Sequence, residues 1–317
     1  MTWIRTPTPL NDAHQGVYFF SLVVRAMPSR KFTKSALPTA DLLNFLITKG
    51  LIVSDRAFAE QCLTYIGYYR LKIYTRHFED AAKNFSVGTT FKNIIEVYEF
   101  DRALRLFCLD AIEKIEVALR AHIINEMAMV GTPHFYYREE FFETRDAVTS
   151  IRNFAQKAKH LSVRHYFSEY SEPSLPPIWC LTEASTYGQL SKMYADLKLD
   201  HRKKIAKGFG FDESICVSWF RTVNALRNIC AHHGRLWDAK FLVDTPKKAR
   251  AYAADLADNT TCYANLVVLQ AILKHIDLNG NHGWGSRLKP LIAARPATVN
   301  LANMGFPLGW ETRPLWI

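Results

Sequence analysis

Forty residues from Thr90 to Met129 repeat one pattern, and any fold for this chain must be built around them. Apolar side chains at Leu104, Phe107, Cys108, Ala111, Ile112, Ile115, Leu119 and Ile123 recur at spacings of three and four, which is one face of an α-helix. Arg102, Arg105, Glu113, Glu116 and Arg120 fall on another face. At about 1.5 Å per residue the segment would run about 60 Å if unbroken. That exceeds the width expected of the core, so a bend or break near Phe100–Asp101 is expected. Gly131 and Pro133 end the segment.

The other stretches are helical too. Thr39 is placed to cap a helix stopped by Gly50, and Ser54 to cap one interrupted by Gly67. YYRLKIYTRHF follows as a shorter piece, and later helical patterns cover 146–161, 178–198, 213–233, 247–257 and 260–278. Strand-like alternation is scarce, and no repeat of 20–50 residues is present. The expected class is all-α, a helical bundle with two lobes sharing one core. Residues 1–35 read as a poorly anchored N-terminal extension, with Met27 an alternative start. Residues 36–170 form the first lobe with its long helix at about 90–129, and SEPSLPP at 171–177 is the linker. Residues 178–278 form the second lobe, and 279–317 a Gly/Pro-rich tail.

Composition narrows the classes of function. The chain of 317 residues is 49% hydrophobic, enough for a full core. Forty Lys+Arg against thirty Asp+Glu leave a net charge of +10, which favours polyanionic partners. The six cysteines form no CxxC pair, and their apolar neighbours make them small buried hydrophobes in a reducing compartment. The apolar octet Val17–Val24 is far short of the roughly 20 residues that span a bilayer, so a cytoplasmic protein without a membrane partner is expected.

Chemistry concentrates in ESICVSWFRTVNALRNICAHHGRLW, residues 213–237. Ile215, Trp219, Val223, Leu226 and Cys230 make a buried stripe, beside which stand Arg227, Asn228, His232, His233, Gly234 and Arg235. Gly234 is placed to stop the helix, leaving both histidines in its last turn, where the helix dipole favours an imidazolium. A permanently charged Arg beside a titrating His suits phosphodiester chemistry: one stabilises charge at phosphorus while the other moves a proton. Asn228, four residues before His232, is placed to orient its ring. Simple capping accounts equally well for a His-His pair at a helix end. Zinc is disfavoured, because adjacent histidines seldom converge on one ion and a fourth ligand is missing. Glu113 and Glu116 read as a solvated face, and Gly208-Phe209-Gly210 is no nucleotide fingerprint.

R-N-x-x-x-H at Arg227–His232 resembles the R-x4–6-H signature of the HEPN ribonuclease superfamily. The longer LRNICAHHGRLW is similar to the Abi family of bacterial abortive-infection proteins, of the AbiD/AbiF type. In order along the chain, the G-YYRL-Y block at Gly67–Tyr74, YEFDRALR…AIEKIEVALR, WCLTEASTYGQLSKMY and the closing MGFPLGWETRPLW carry the same resemblance. It implies an all-α HEPN-like fold and a metal-independent endoribonuclease without cofactor, acting as an anti-phage toxin. Arg227 and His232 would be the catalytic pair and Asn228 the polar accessory. Cleavage by the ribose 2′-OH would leave a 2′,3′-cyclic phosphate, with the site shared between two protomers of a homodimer.

Charge and aromatics fit an RNA partner. Residues 200–250 hold eleven basic residues against five acidic ones, among them Lys203, Lys204, Lys207 and Arg221, with His233 and Arg235 flanking the motif. Tyr68 and Tyr69 stand with Tyr65 and Tyr74 among Arg70, Lys72 and Arg76, a mixture suited to stacking unpaired bases. The same features serve a different reading, a non-catalytic module that binds RNA and assembles with a non-coding RNA. For a dimer, Trp219, Phe220 and Trp237 are the expected apolar contacts. Were the site complete in one chain, Arg102, Arg105 and Glu113 would be the first further candidates.

Overall fold

A computed structural model describes residue 33 and residues 35–276 and 283–317. The octet at 17–24 and Met27 lie outside the described residues. The helices are α1 (Thr39–Thr48), α2 (Arg56–Tyr65), α3 (Tyr68–Thr75), α4 (Phe91–Gly131), α5 (Arg145–Lys157) and α6 (Leu161–Glu169). They continue with α7 (Ile178–Ala184), α8 (Tyr187–Asp196), α9 (Leu199–Gly208), α10 (Glu213–Ala231), α11 (Cys262–Ile276) and α12 (Trp284–Ala293). Among the described residues there are no strands, only isolated bridges such as Ile52 to Thr90. The fold is all-α.

The expected long helix is α4, 41 residues without a break. Thr90 opens it with a reciprocal cap: its Oγ1 accepts the Asn93 N–H at 3.1 Å, while Asn93 Oδ1 accepts the Thr90 N–H at 3.0 Å. No break occurs near Phe100–Asp101. Buried positions run from Phe91 to Gly131, and α3 and α7 through α12 all pack along the helix. One face of the helix therefore stays covered from end to end.

Local chemistry moves several helix ends. Thr39 lies inside α1, after Pro38, and Asp55 rather than Ser54 caps α2 by accepting the Phe58 N–H at 2.9 Å. The helix expected at 146–161 ends at Lys157, α6 follows unexpectedly from a cap at His160, and the pattern at 178–198 divides at Thr186, whose cap with Gln189 starts α8. Of the helix expected at 247–257 only a 3₁₀ turn, Arg250–Tyr252, is present. Helix α11 is buried on all sides from Cys262 to Leu273, so it needs cover all round, which α4, α10 and α12 supply. Beyond α12, Trp310 and Trp316 join Trp284 in the core, and Trp316 Nε1 donates to Tyr263 Oη at 3.0 Å.

Candidate active site at the end of α10

Helix α10 buries Trp219, Val223, Leu226 and Cys230 of the stripe its spacing predicts and adds Cys216 and Phe220, while Ile215 is half-buried. Its ending departs from expectation. His232 is the C-cap, and His233, with φ of 59°, takes the left-handed position usually given to glycine. The His233 N–H donates to Cys230 O at 3.1 Å and the Gly234 N–H to Ile229 O at 2.6 Å, which closes a Schellman-type cap. Gly234 therefore does not turn the chain. It is small because a Cβ there would stand 2.7 Å from Ile229 Cγ2 and 3.0 Å from Ile229 O. Both histidines sit exposed just past the last turn rather than within it.

The segment after the cap is pinned to α4 by a buried carboxylate. Asp101 Oδ1 accepts the N–H groups of Leu236 at 2.9 Å and Trp237 at 2.6 Å. Its Oδ2 accepts the Tyr74 hydroxyl at 2.6 Å and the Arg105 guanidinium. Arg105, itself buried, also reaches Gly234 O at 3.4 Å, and Arg70 donates to His233 O. An unpaired buried charge would be costly, but here every oxygen of Asp101 has two donors and Arg105 has its counter-ion. Burial and the neighbouring Asp101 push the Tyr74 phenol well up, so it stays a donor.

Arg235 ties the same segment to α3. It donates to Ile73 O at 3.1 Å, to Asp238 O at 3.3 Å and to His77 Nε2. His77 Nδ1 stands 2.9 Å from Asp238 Oδ2. Burial, then the Arg235 charge, lower the His77 pKa against the opposing pull of Asp238. With Arg235 donating to Nε2, the ring proton belongs on Nδ1, facing the carboxylate.

Arg227 is half-buried on α10, and its Nη1 lies 3.5 Å from Asn228 Oδ1, a long contact. The Asn228 side chain thus faces Arg227 and does not orient His232 as expected. It is the Asn228 backbone carbonyl that accepts the His232 N–H, at 3.0 Å. Among the described residues none hydrogen-bonds the His232 ring. Glu116 of α4 feels the Arg227 charge. Burial raises its pKa, while Arg120, 3.2 Å away, and Arg227 act against that rise.

The model of the Abi-like protein family matches residues 61–238, more than half of the chain. The chain belongs to the Abi-like family. No curated protein and no solved structure gives a significant match. In this Abi-like chain the matched stretch takes in α3, α4, Arg227–His232 and the Asp101 clamp, and it ends at Asp238, the partner of His77. The closing MGFPLGWETRPLW block lies beyond it.

Within the Abi-like chain the other residues expected at the site divide into two groups. Tyr68, Tyr69 and Arg70 open α3 beside His233, with Tyr69 89% exposed and Tyr68 carrying Lys72 over its ring at 5.8 Å. Tyr74, expected with them, is core. Lys203, Lys204 and Lys207 lie exposed on α9, where Lys204 pairs with Glu126 at 3.2 Å. That helix is held to the start of α10 by Arg202 and Glu213, 3.3 Å apart. The nineteen steps from Glu213 to His232 put the two groups at opposite ends of α10, about 28 Å apart along its axis. Arg221 is exposed between them and lines a groove with Lys247.

Trp219, Phe220 and Trp237, expected at a dimer contact, are 0%, 1% and 4% exposed. They fill the core and are not available to a partner. Among the described residues no group of three or more His, Cys, Asp or Glu is placed to hold a metal ion. Asp101 went unnoticed in the sequence. Its signal was an acid inside the buried run Val97, Phe100, Leu104 with an arginine four residues on.

Proposed function

We propose that the chain is an endoribonuclease of HEPN type acting in abortive infection, with Arg227 and His232 as its catalytic pair. The observation that carries this reading is the family match, which encloses Arg227-Asn228-Ile229-Cys230-Ala231-His232. The Schellman-type cap supports it by holding a titratable ring in solvent beyond an anchored helix.

In this reading His232 takes the proton from a ribose 2′-OH. The oxygen attacks the adjacent phosphorus, the P–O5′ bond breaks, and the leaving oxygen takes a proton from solvent to become a 5′-OH. Arg227 neutralises the charge that builds on the phosphoryl oxygens, and Asn228 steadies its guanidinium. The products are a 2′,3′-cyclic phosphate and a 5′-OH end. A second copy of the chain would complete the site, since one copy leaves the His232 ring without an orienting partner.

Purified protein is expected to cut single-stranded RNA in the presence of EDTA. Arg227→Ala and His232→Ala should each lower the rate about 10²–10⁴-fold with helicity unchanged by circular dichroism. Cutting that EDTA abolishes and zinc restores would sink the mechanism. The unoriented His232 ring also suits the second reading, a module that binds RNA without cutting it. Salt-dependent binding, intact RNA after long incubation and indifference to His232→Ala would decide for that module.

A further inference from the structure

Beside the helix end lies a cleft of about 530 Å³ that the proposed mechanism does not use. Its apolar lining comes from Ile66, Leu106, Leu109, Cys230 and Ala231. Arg70, Arg102 and Arg105 line it together with His233, and no Asp or Glu is among the lining residues. Tyr65 and Tyr98 complete its walls. Of these rings Tyr98 is fixed, edge-on to Tyr74 with centroids 5.5 Å apart, whereas Tyr65 is 83% exposed.

The three arginines are not equivalent. Arg105 is committed to Asp101, and Arg70 spends one nitrogen on His233 O. Arg102 has a side chain 55% exposed, and its contact is Glu99 at 3.7 Å, too long for a strong pair. It is the least committed of the three. A ligand for this cleft must be flat and apolar enough for its apolar lining and the tyrosines, and anionic enough for Arg70 and the weakly paired Arg102.

We propose that the cleft binds one unstacked nucleotide, its base against Tyr65 and Tyr98 and its phosphate on Arg102 and Arg70. This deepens the RNA reading of the same helix end and rests on it. A bound nucleotide would be held one residue from His232, through His233 and the Arg70 tie. The base must leave its stack to enter, so the cleft selects unpaired strand over duplex.

The test uses the full chain and a single-stranded oligonucleotide with 2′-O-methyl riboses, which blocks 2′-OH attack and leaves binding as the only readout. Tyr65→Ala and Arg102→Ala are exposed changes that the fold tolerates. Tyr65→Ala should weaken binding by about five- to a hundredfold, the range of one lost base–aromatic stack. Arg102→Ala should also weaken it and lower the slope of log affinity against log salt by about 0.7. Lys159→Ala, the same charge loss on an exposed residue away from the cleft, should change little. A parallel titration with nucleoside 5′-monophosphates separates a strand nucleotide from a free one. Tyr65 and Arg102 dependence in either arm upholds the nucleotide site. Affinities for both ligands that ignore both variants overturn it. Loss of cutting in Arg227→Ala with no effect here would leave the nuclease standing and the cleft without a nucleotide. Dependence here without any cutting would do the reverse.

Discussion

Asp101 has no exposed surface and four donors, and this makes it the residue whose loss the fold should feel most. Asp101→Ala strands the Arg105 charge and frees two amides. It should cost about 3–5 kcal/mol of unfolding free energy in urea titrations. His233 carries the opposite prediction. Its φ of 59° stores strain that glycine would not, so His233→Gly should raise stability by about 1 kcal/mol while weakening any RNA contact its ring makes. Gly234→Ala should destabilise, because the new methyl meets the Ile229 carbonyl as well as its side chain. Residue types at the helix end were legible from spacing, but their division of labour was not. Whether 233 or 234 turns the chain depends on how closely Ile229 approaches, and no local pattern encodes that distance.

At the scale of elements, periodicity read α4 and α10 correctly because each buries one regular stripe. It allowed a break in α4 where none occurs, since a pattern of spacings carries no information on how far the surrounding core extends. It carried α5 past its end at Lys157 and missed α6, and it ran α7 into α8 because Thr186 restarts a helix within an otherwise continuous pattern. The packing of α3 and α10 on α4 gives a test. Arg235→Ala removes the tie to Ile73 O and to His77 without emptying the core. It should speed amide hydrogen exchange in residues 233–238 and at the end of α3, and leave the centre of α4 protected.

For the whole molecule, five histidines share one behaviour. Burial is the largest cause lowering the pKa of His77, His122, His134, His201 and His275 below the free-histidine value of 6.5. The unfolded chain therefore binds more protons than the folded one as pH falls through that value, and stability falls with it. The urea midpoint should be lower at pH 5.5 than at pH 7.5. Asp258, held at about 2 chiefly by Lys240, extends the loss only at much lower pH. Mixing inactive Arg227→Ala chains with inactive His232→Ala chains tests the shared site directly: regained cleavage requires both protomers. The apolar contact for such a dimer must come from surface other than Trp219, Phe220 and Trp237, which a sequence stripe could not distinguish from core.

The clamp joins parts of the chain far apart in the order of synthesis. Asp101 and the Leu236 amide it holds are separated by 135 residues, and Trp284, Trp310 and Trp316 come later still. On the ribosome, α4 emerges with only Tyr74 and Arg105 made to pair with Asp101, long before the helix end that bears His232 has been made. Translation must run through both histidines before the carboxylate can seize the amides beyond them. A growing chain therefore cannot clamp this helix end until Trp237 and the residues before it have been made.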